Sequence, residues 1–188
     1  MDQIIHARLI EPALPSTLVA NRPLIEELKR AVCSQRITFL HAPSGYGKTV
    51  AMCELSEALR QEGYRTSWLS IDLALSDAMQ FWAHAHASFV ESGFCSGMGN
   101  DELASDGGAL ADILFRHRAE VKGERFVFFD AFNRMSSLSL IDDFLRFCFE
   151  APPEYHFVVS TREFLESFKT ATFKYGEHAF EARDLIFT

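Results

Sequence analysis

The sequence predicts an α/β fold of three layers, with a mainly parallel central sheet of about five strands between helices. Three observations predict it. From residue 36 onward, short apolar runs suited to buried strands alternate with helical periodicity. The first such run leads through a glycine-containing turn, HAPSGYGKTV at 41–50, into a helical pattern. The most strand-like run, RFVFFD at 125–130, ends in a carboxylate. At 188 residues, with 48% hydrophobic and 23% charged residues, the chain has the balance of a globular domain rather than of a disordered tail. We take 1–188 as a single domain, with 1–21 as a lead-in and 22–188 as its core.

The elements follow in order. Pro12 and Pro15 keep residues 1–21 irregular, because proline lacks an N–H and locks φ. Asn21 is a cap whose side chain can accept from a free backbone N–H, and Pro23 suits the first turn of a helix that carries Leu24, Leu28 and Ala31 to about residue 34. RITFLHA, 36–42, is a continuous apolar run, the pattern of a strand covered on both faces. After the glycine turn, Val50, Cys53, Leu55 and Leu59 fall near helical spacing up to a stop at Gly63. YRTSWLSI, 64–71, is the next strand, and 77–91 a helix opened by Ser76 or Asp77. Residues 93–108, with five glycines, read as a loop. ALADILFRHRAEV is an amphipathic helix, RFVFFD a strand, LSLIDDFLRFCFEA a helix and YHFVVSTR a strand. A short helix near 163–170 and a strand near 177–183 close the chain.

Net charge is −8 and no basic cluster stands out, a poor electrostatic match for a nucleic-acid backbone. We therefore expect no direct DNA contact from this segment. Cys33, Cys53, Cys95 and Cys148 show no paired or metal-binding spacing, so they read as buried thiols of a reducing, cytoplasmic setting. No apolar stretch approaches the length of a membrane span, and the first residues lack the pattern of a signal peptide. The 18 phenylalanines imply an aromatic core or a surface that another domain covers.

The turn at 42–49, Ala42-Pro43-Ser44-Gly45-Tyr46-Gly47-Lys48-Thr49, has the spacing of a phosphate-binding loop with alanine in place of the first glycine. Gly45 and Gly47 allow backbone shapes that bring N–H groups to phosphate oxygens, and the helix start through Val50 adds the positive end of its dipole. Lys48 is expected to reach the β- and γ-phosphates, and the Thr49 hydroxyl to ligate Mg²⁺. Ala42 adds one methyl, which fits any backbone with φ below zero. A loop of this kind needs a carboxylate on a neighbouring strand for the metal, and Asp130, at the carboxyl end of its strand, is the candidate. The fold class is then that of a P-loop NTPase, with a nucleotide and Mg²⁺ as cofactors. The next position, where hydrolytic members of the class often carry a second acid, is Ala131. A methyl group neither accepts a proton nor orients water, so binding is expected and fast hydrolysis is not. Asn133 is placed to contact phosphate or water. Ser160, Thr161 and Arg162 end another apolar strand at the same edge, and Arg162 either senses the γ-phosphate or pairs with Glu163 or Glu166.

Together these segments resemble the nucleotide-binding domain of MalT-type regulators, the large ATP-dependent members of the LuxR class within the STAND signal-transduction ATPases. RLIEPALPSTLVANRPLIEEL resembles that family's proline-rich lead-in, FLHAPSGYGKTV its phosphate loop, in which alanine at Ala42 is usual, and TSWLSIDLALSDAMQFWAHA its Trp-Leu-Ser stretch with the helix after it. FVFFDAFNRM stands where the family has paired aspartates, HFVVSTRE resembles its Ser-Arg strand end, and EARDLIFT its closing segment. Ala131 is the main departure. The resemblance implies ATP/ADP as the nucleotide and an ATP-held, assembly-competent switch that hydrolysis resets, partnered by other domains of a longer regulator or by copies of itself. It also implies that Arg22 lies near the adenine, while pairing with Glu26 one turn on is the alternative. A P-loop phosphotransferase or ATPase acting on a small molecule, and an interaction module with a vestigial site, are the rival readings.

Other residues carry blander expectations. His84 and His86, two apart on a helix, point to different faces and form no metal site. Phe81 and Trp82 read as core, Asp77 as a helix cap, Asp72 as a strand-end residue near the cleft, and 93–108 as a lid or a disordered loop.

Overall fold

The computed structural model describes residues 4–14, 21–72, 75, 77–95, 104–120, 122–135, 137–175 and 178–181. It contains helices α1 (Arg22–Ser34), α2 (Lys48–Gln61), α3 (Ala78–Glu91), α4 (Gly107–Arg116), α5 (Leu138–Glu150) and α6 (Glu166–Tyr175), and strands β1 (Ile37–His41), β2 (Arg65–Ser70), β3 (Arg125–Asp130), β4 (Tyr155–Thr161) and β5 (His178–Phe180). The five strands form one sheet in the order β2-β3-β4-β1-β5, and every pairing is parallel. Parallel neighbours need crossover helices, which cover both faces, so the strands can be apolar throughout.

Alternation along each strand divides the apolar residues between two cores. Phe39, Leu69, Val127, Phe129, Phe157 and Val159 face one core, which α3, α4, α5 and α6 close. Leu40, Trp68, Phe126, Phe128 and Val158 face the other, closed by α1 and α2. This is the expected three-layer sandwich. Most phenylalanines serve these cores. Phe81 and Trp82 are fully buried in the first, and Phe115 and Phe173 are exposed. Among the described residues no helix is long and apolar enough to cross a membrane.

Local signals explain the helix ends. Asn21 Oδ1 accepts from the Leu24 N–H at 3.3 Å, Asp77 Oδ1 from Gln80 at 3.1 Å, and the Ser137 hydroxyl from Leu140 at 3.3 Å. Each such cap satisfies one of the donors that a helix start leaves unpaired. The C-terminus of α5 is served by Arg36. Its guanidinium donates to the carbonyls of Cys148 (2.5 Å), Pro152 (2.8 Å), Tyr155 (2.7 Å) and Ala151.

Several expectations are corrected. The helix placed at 109–121 is α4 followed by a 3-10 turn at Arg118–Glu120, and it starts two residues early, at Gly107, because Asp106 caps it at Ala109 (2.8 Å). Helix α6 starts three residues later than expected, at Glu166, and β5 spans His178–Phe180, with 177 and 182–183 of the expected range outside the described residues. Cys33 is exposed on α1, whereas Cys53, Cys95 and Cys148 are buried free thiols. Burial pushes the Cys53 thiol up to about 12 and Cys95 to about 11, so both stay protonated. Asp72 is not among the residues that line the predicted cleft and pairs with Arg8 at 2.7 Å. Pro15, Ser76, residues 96–103 of the glycine-rich loop and the closing residues 182–188 lie outside the described residues.

The histidines of α3 hold chain segments. His84 Nδ1 meets the Gln80 carbonyl at 2.8 Å, and its Nε2 accepts from the Ile5 N–H at 3.1 Å. Burial lowers its proton affinity and Arg8 lowers it further, against the hydrogen bond to Gln80, which raises it, so the imidazole is an acceptor that anchors the N-terminal segment. His86 Nδ1 accepts from the Ala104 N–H at 3.4 Å.

Candidate functional site

The phosphate-loop sequence leaves β1 at its carboxyl end and enters α2. Gly45 (φ 88°) and Gly47 (φ 76°) take the positive φ that their sequence position anticipates. A side chain is strained there, which explains why these two positions are glycine. Ala42 is fully buried and is not among the positive-φ residues, so one methyl fits where glycine stands in the general pattern. Pro43 and Tyr46 are exposed at the loop's outer side.

Strand alternation brings the acid to the loop. Asp130 follows Phe128 by two residues, and Ser160 follows Val158 by two, so both side chains emerge on the face that α2 covers. Thr49 opens α2 on that same face, and its hydroxyl donates to Asp130 Oδ2 at 2.9 Å. A cleft of about 330 Å³ lies here, lined by Ser44, Gly45, Gly47, Lys48, Thr49, Val50, Asp130, Ala131, Asn133, Ser160 and Arg162. The parallel sheet puts it at the carboxyl edge of the strands, where ligands of open α/β sheets collect.

Each predicted residue has a definite place. Lys48, Thr49, Asp130 and Arg162 converge on the cleft, with Ser44, Gly45, Gly47 and Val50 forming its loop wall. Lys48 Nζ donates to the carbonyls of Ala42 (2.6 Å) and Pro43 (2.9 Å). Burial lowers the affinity of that amine for its proton; Asp130 opposes the shift and the charge of Arg162 adds to it. An anion entering the cleft reverses that balance. Glu166 pairs with Lys169 at 2.6 Å, while Arg162 lines the cleft. Arg22 sits exposed in the first turn of α1, outside the residues that line the cleft, and Glu26 pairs with Lys29 at 3.0 Å.

The donor set suits Mg²⁺, a hard cation that takes oxygen ligands and keeps water and phosphate in its shell. One carboxylate and one hydroxyl stand 2.9 Å apart, and the described residues hold no cluster of three metal-ligating side chains elsewhere. Two protein oxygens alone would hold such an ion weakly, and oxygens of water or of a ligand would have to complete its shell.

Two features escaped the sequence reading. Ser160 donates to Asp130 Oδ1 at 2.5 Å, and the Ala131 N–H donates to the Ser160 hydroxyl at 2.8 Å and to Asp130 Oδ1 at 2.9 Å. Ala131 itself is left-handed, with φ 60° and ψ 38°. The one available signal was the shared alternation of Phe128-Asp130 and Val158-Ser160.

Comparison with known proteins places this arrangement. No family model matches the chain. Over 73 residues, 39% of its length, the chain is 30% identical to the serine/threonine-protein kinase PknK of Mycobacterium tuberculosis and of Mycobacterium bovis. The match spans only 7% of the length of those relatives. Structural likeness runs wider. The Walker-type ATPase of Pyrococcus abyssi aligns with 88% of this chain and 53% of its own, at a TM-score of 0.56 and 14% identity. The fold is that of a P-loop NTPase. Other proteins with this P-loop NTPase fold include the Drosophila ORC bound to AT-rich DNA and Cdc6, with a TM-score of 0.56 over 86% of this chain and 56% of that chain at 9% identity. The Orc1 protein of Aeropyrum pernix in complex with DNA gives 0.55 over 89% and 46% at 14% identity. At these identities the likeness concerns the P-loop NTPase architecture.

Proposed function

We propose that the chain is the ATP-binding switch domain of a MalT/LuxR-type transcriptional regulator of the STAND class, slow or inactive in hydrolysis. The observation that carries the reading is the convergence of Lys48, Thr49 and Asp130 on one cleft whose loop has glycine at both positive-φ positions. Lys48 leaves the loop carbonyls and pairs with the β- and γ-phosphates, and the loop N–H groups take the remaining phosphate oxygens. Thr49 and Asp130 hold Mg²⁺, which neutralises phosphate charge when bound. Arg162 stands on the cleft wall as the cation for the γ-phosphate. Preference for adenine, the place of Arg22 near the base and the MalT/LuxR assignment rest on the family resemblance, whereas the single-domain reading of 1–188 rests on chain length.

Hydrolysis needs a group that orients water, and Ala131 supplies none; Asn133, which also lines the cleft, is a poor base. The domain thus holds ATP longer than it turns it over. Its partners in this reading are other domains of a longer regulator, or copies of itself brought together in the ATP state. The acidic charge of −8 keeps this segment off DNA, although two structural relatives were solved with DNA. PknK is a kinase by name, and the small fraction of it that matches gives no ground for a kinase activity here.

Titration with a fluorescent ATP analogue in Mg²⁺ tests the reading. Lys48→Ala is expected to weaken binding about 10–100-fold, the worth of one or two hydrogen bonds to a charged group. Unchanged affinity in that variant contradicts it.

A further inference from the structure

We propose that Ser160 is the positioning residue that aims Asp130 at the metal, and so sets the magnesium dependence of nucleotide binding without contributing to nucleotide binding by itself. The inference rests on the nucleotide-binding reading above and deepens it.

The geometry is a closed ring of hydrogen bonds. The Ser160 hydroxyl donates to Asp130 Oδ1 (2.5 Å) and accepts from the Ala131 N–H (2.8 Å), and the same N–H donates to Asp130 Oδ1 (2.9 Å). Asp130 Oδ1 thereby has two donors. The other oxygen, Oδ2, is left to Thr49 at 2.9 Å, on the loop side of the cleft. The carboxylate cannot rotate without breaking bonds to both donors, one of them a fully buried hydroxyl. Its two oxygens therefore have separate tasks: Oδ1 is tied to the sheet edge, and Oδ2 faces the metal. An aspartate side chain of its own turns about two bonds, and holding it in one orientation lowers the entropy lost when a metal arrives.

Ser160 is placed for this by topology. β4 lies between β3 and β1, so the end of β4 stands between the aspartate and the phosphate loop. Leu40 of β1 pairs with Ser160, one residue before the loop's approach begins at His41, and Phe129 pairs with Val159. Parallel register thus sets Ser160 alongside Asp130. A serine at this position is within reach of the acid, whereas the side chains of Val159 and Thr161 emerge on the opposite face. The same N–H belongs to Ala131, whose left-handed conformation turns the chain away from the end of β3.

This role separates two quantities that a direct phosphate contact would move together. Partners that orient a metal-ligating carboxylate typically change metal affinity 10–100-fold when removed. A nucleotide without metal makes its contacts with the loop and Lys48, which Ser160 does not touch.

The test measures the dissociation constant of a fluorescent ATP analogue in Mg²⁺ and in EDTA, for the unaltered chain and for Ser160→Ala, Ser160→Cys and Ser160→Thr. For the unaltered chain Mg²⁺ tightens binding. In Ser160→Ala and in the near-isosteric Ser160→Cys, whose thiol is a weak donor and acceptor, that tightening is expected to shrink about 10–100-fold. Affinity in EDTA is expected to stay within about twofold. Ser160→Thr keeps the hydroxyl and is expected to restore the tightening. Equal losses in Mg²⁺ and EDTA, or no loss in either, overturn the proposal. If Ser160→Ala does not fold, the Cys and Thr variants decide it between them. An unaltered chain that binds nucleotide in neither buffer refutes the nucleotide reading itself.

Discussion

At the scale of single residues, Ala131 joins strain to function. A non-glycine residue in the left-handed region costs about 1–2 kcal/mol, and such strain collects at functional sites, where the surroundings hold it. Here the peptide that leads into the turn is held by the bonds from the Ala131 N–H to Ser160 and Asp130. Glycine removes the strain but adds about 0.5–1 kcal/mol of unfolded-state freedom. Ala131→Gly is therefore expected to gain about 0.5–1 kcal/mol in a urea melt, and Ala131→Val, with its branched Cβ, to lose more than that. A gain in both variants would mean that the turn is not strained. Aspartate tolerates this region better than most residues. Ala131→Asp also places a second carboxylate in the cleft, and it is expected to raise ATP turnover at least ~10-fold with little change in nucleotide affinity. Phosphate release no faster than in the unaltered chain would show that a missing acid does not limit the rate. The loop, Lys48, Thr49 and Asp130 were legible in sequence because fixed spacing after an apolar strand carries them. The left-handed turn and the Ser160 bond were not, because both arise only when β3 and β4 lie in register.

At the scale of elements, most of the sheet could be read from composition alone. β1, β3 and β4 are continuous apolar runs with both faces covered, and no competing pattern fits them. Element boundaries were harder, since tertiary contacts set them. α4 starts at Gly107, where a Cβ would lie 2.8 Å from Phe147 Cβ and 3.0 Å from the Trp82 ring. Close approach to α3 and α5 requires that glycine, and a glycine inside a sequence run reads as loop. Arg36 is a similar case. Its position before β1 gives no hint that it serves α5, yet it donates to carbonyls of Cys148, Ala151, Pro152 and Tyr155, which a helix end and its exit leave open. Arg36→Ala removes several charge-assisted hydrogen bonds from a half-buried site and is expected to cost about 2–3 kcal/mol in chemical denaturation. Arg36→Lys keeps the charge but not the planar fork, and is expected to recover at most about half of that loss. Full recovery with lysine would assign the effect to charge alone.

At the scale of the whole molecule, the cleft joins parts that the two cores hold separately. Its loop and Lys48 belong to β1 and α2, on the face closed by α1 and α2, and Asp130 and Ser160 to strand ends whose neighbours also serve the other face. A ligand that touches all of them binds only the folded sheet, because unfolding separates positions 48, 130 and 160 in the chain. Binding to the native state alone stabilises it by about 2.7–4.1 kcal/mol at 100–1,000 times the dissociation constant. For a domain of this length each kcal/mol shifts Tm by about 2–4 °C, so saturating Mg-ATP is expected to raise Tm by roughly 5–16 °C. Replacing Mg²⁺ with EDTA is expected to remove part of the shift, since Asp130 then has no metal to hold, and Lys48→Ala most of it. The three rival readings separate when this measurement is combined with phosphate release. A switch domain shows the shift with slow phosphate release. A phosphotransferase shows it with turnover that rises when a small-molecule acceptor is added. An interaction module with a vestigial site shows no shift at any nucleotide concentration, and that outcome would leave the convergence of Lys48, Thr49 and Asp130 as architecture without a ligand.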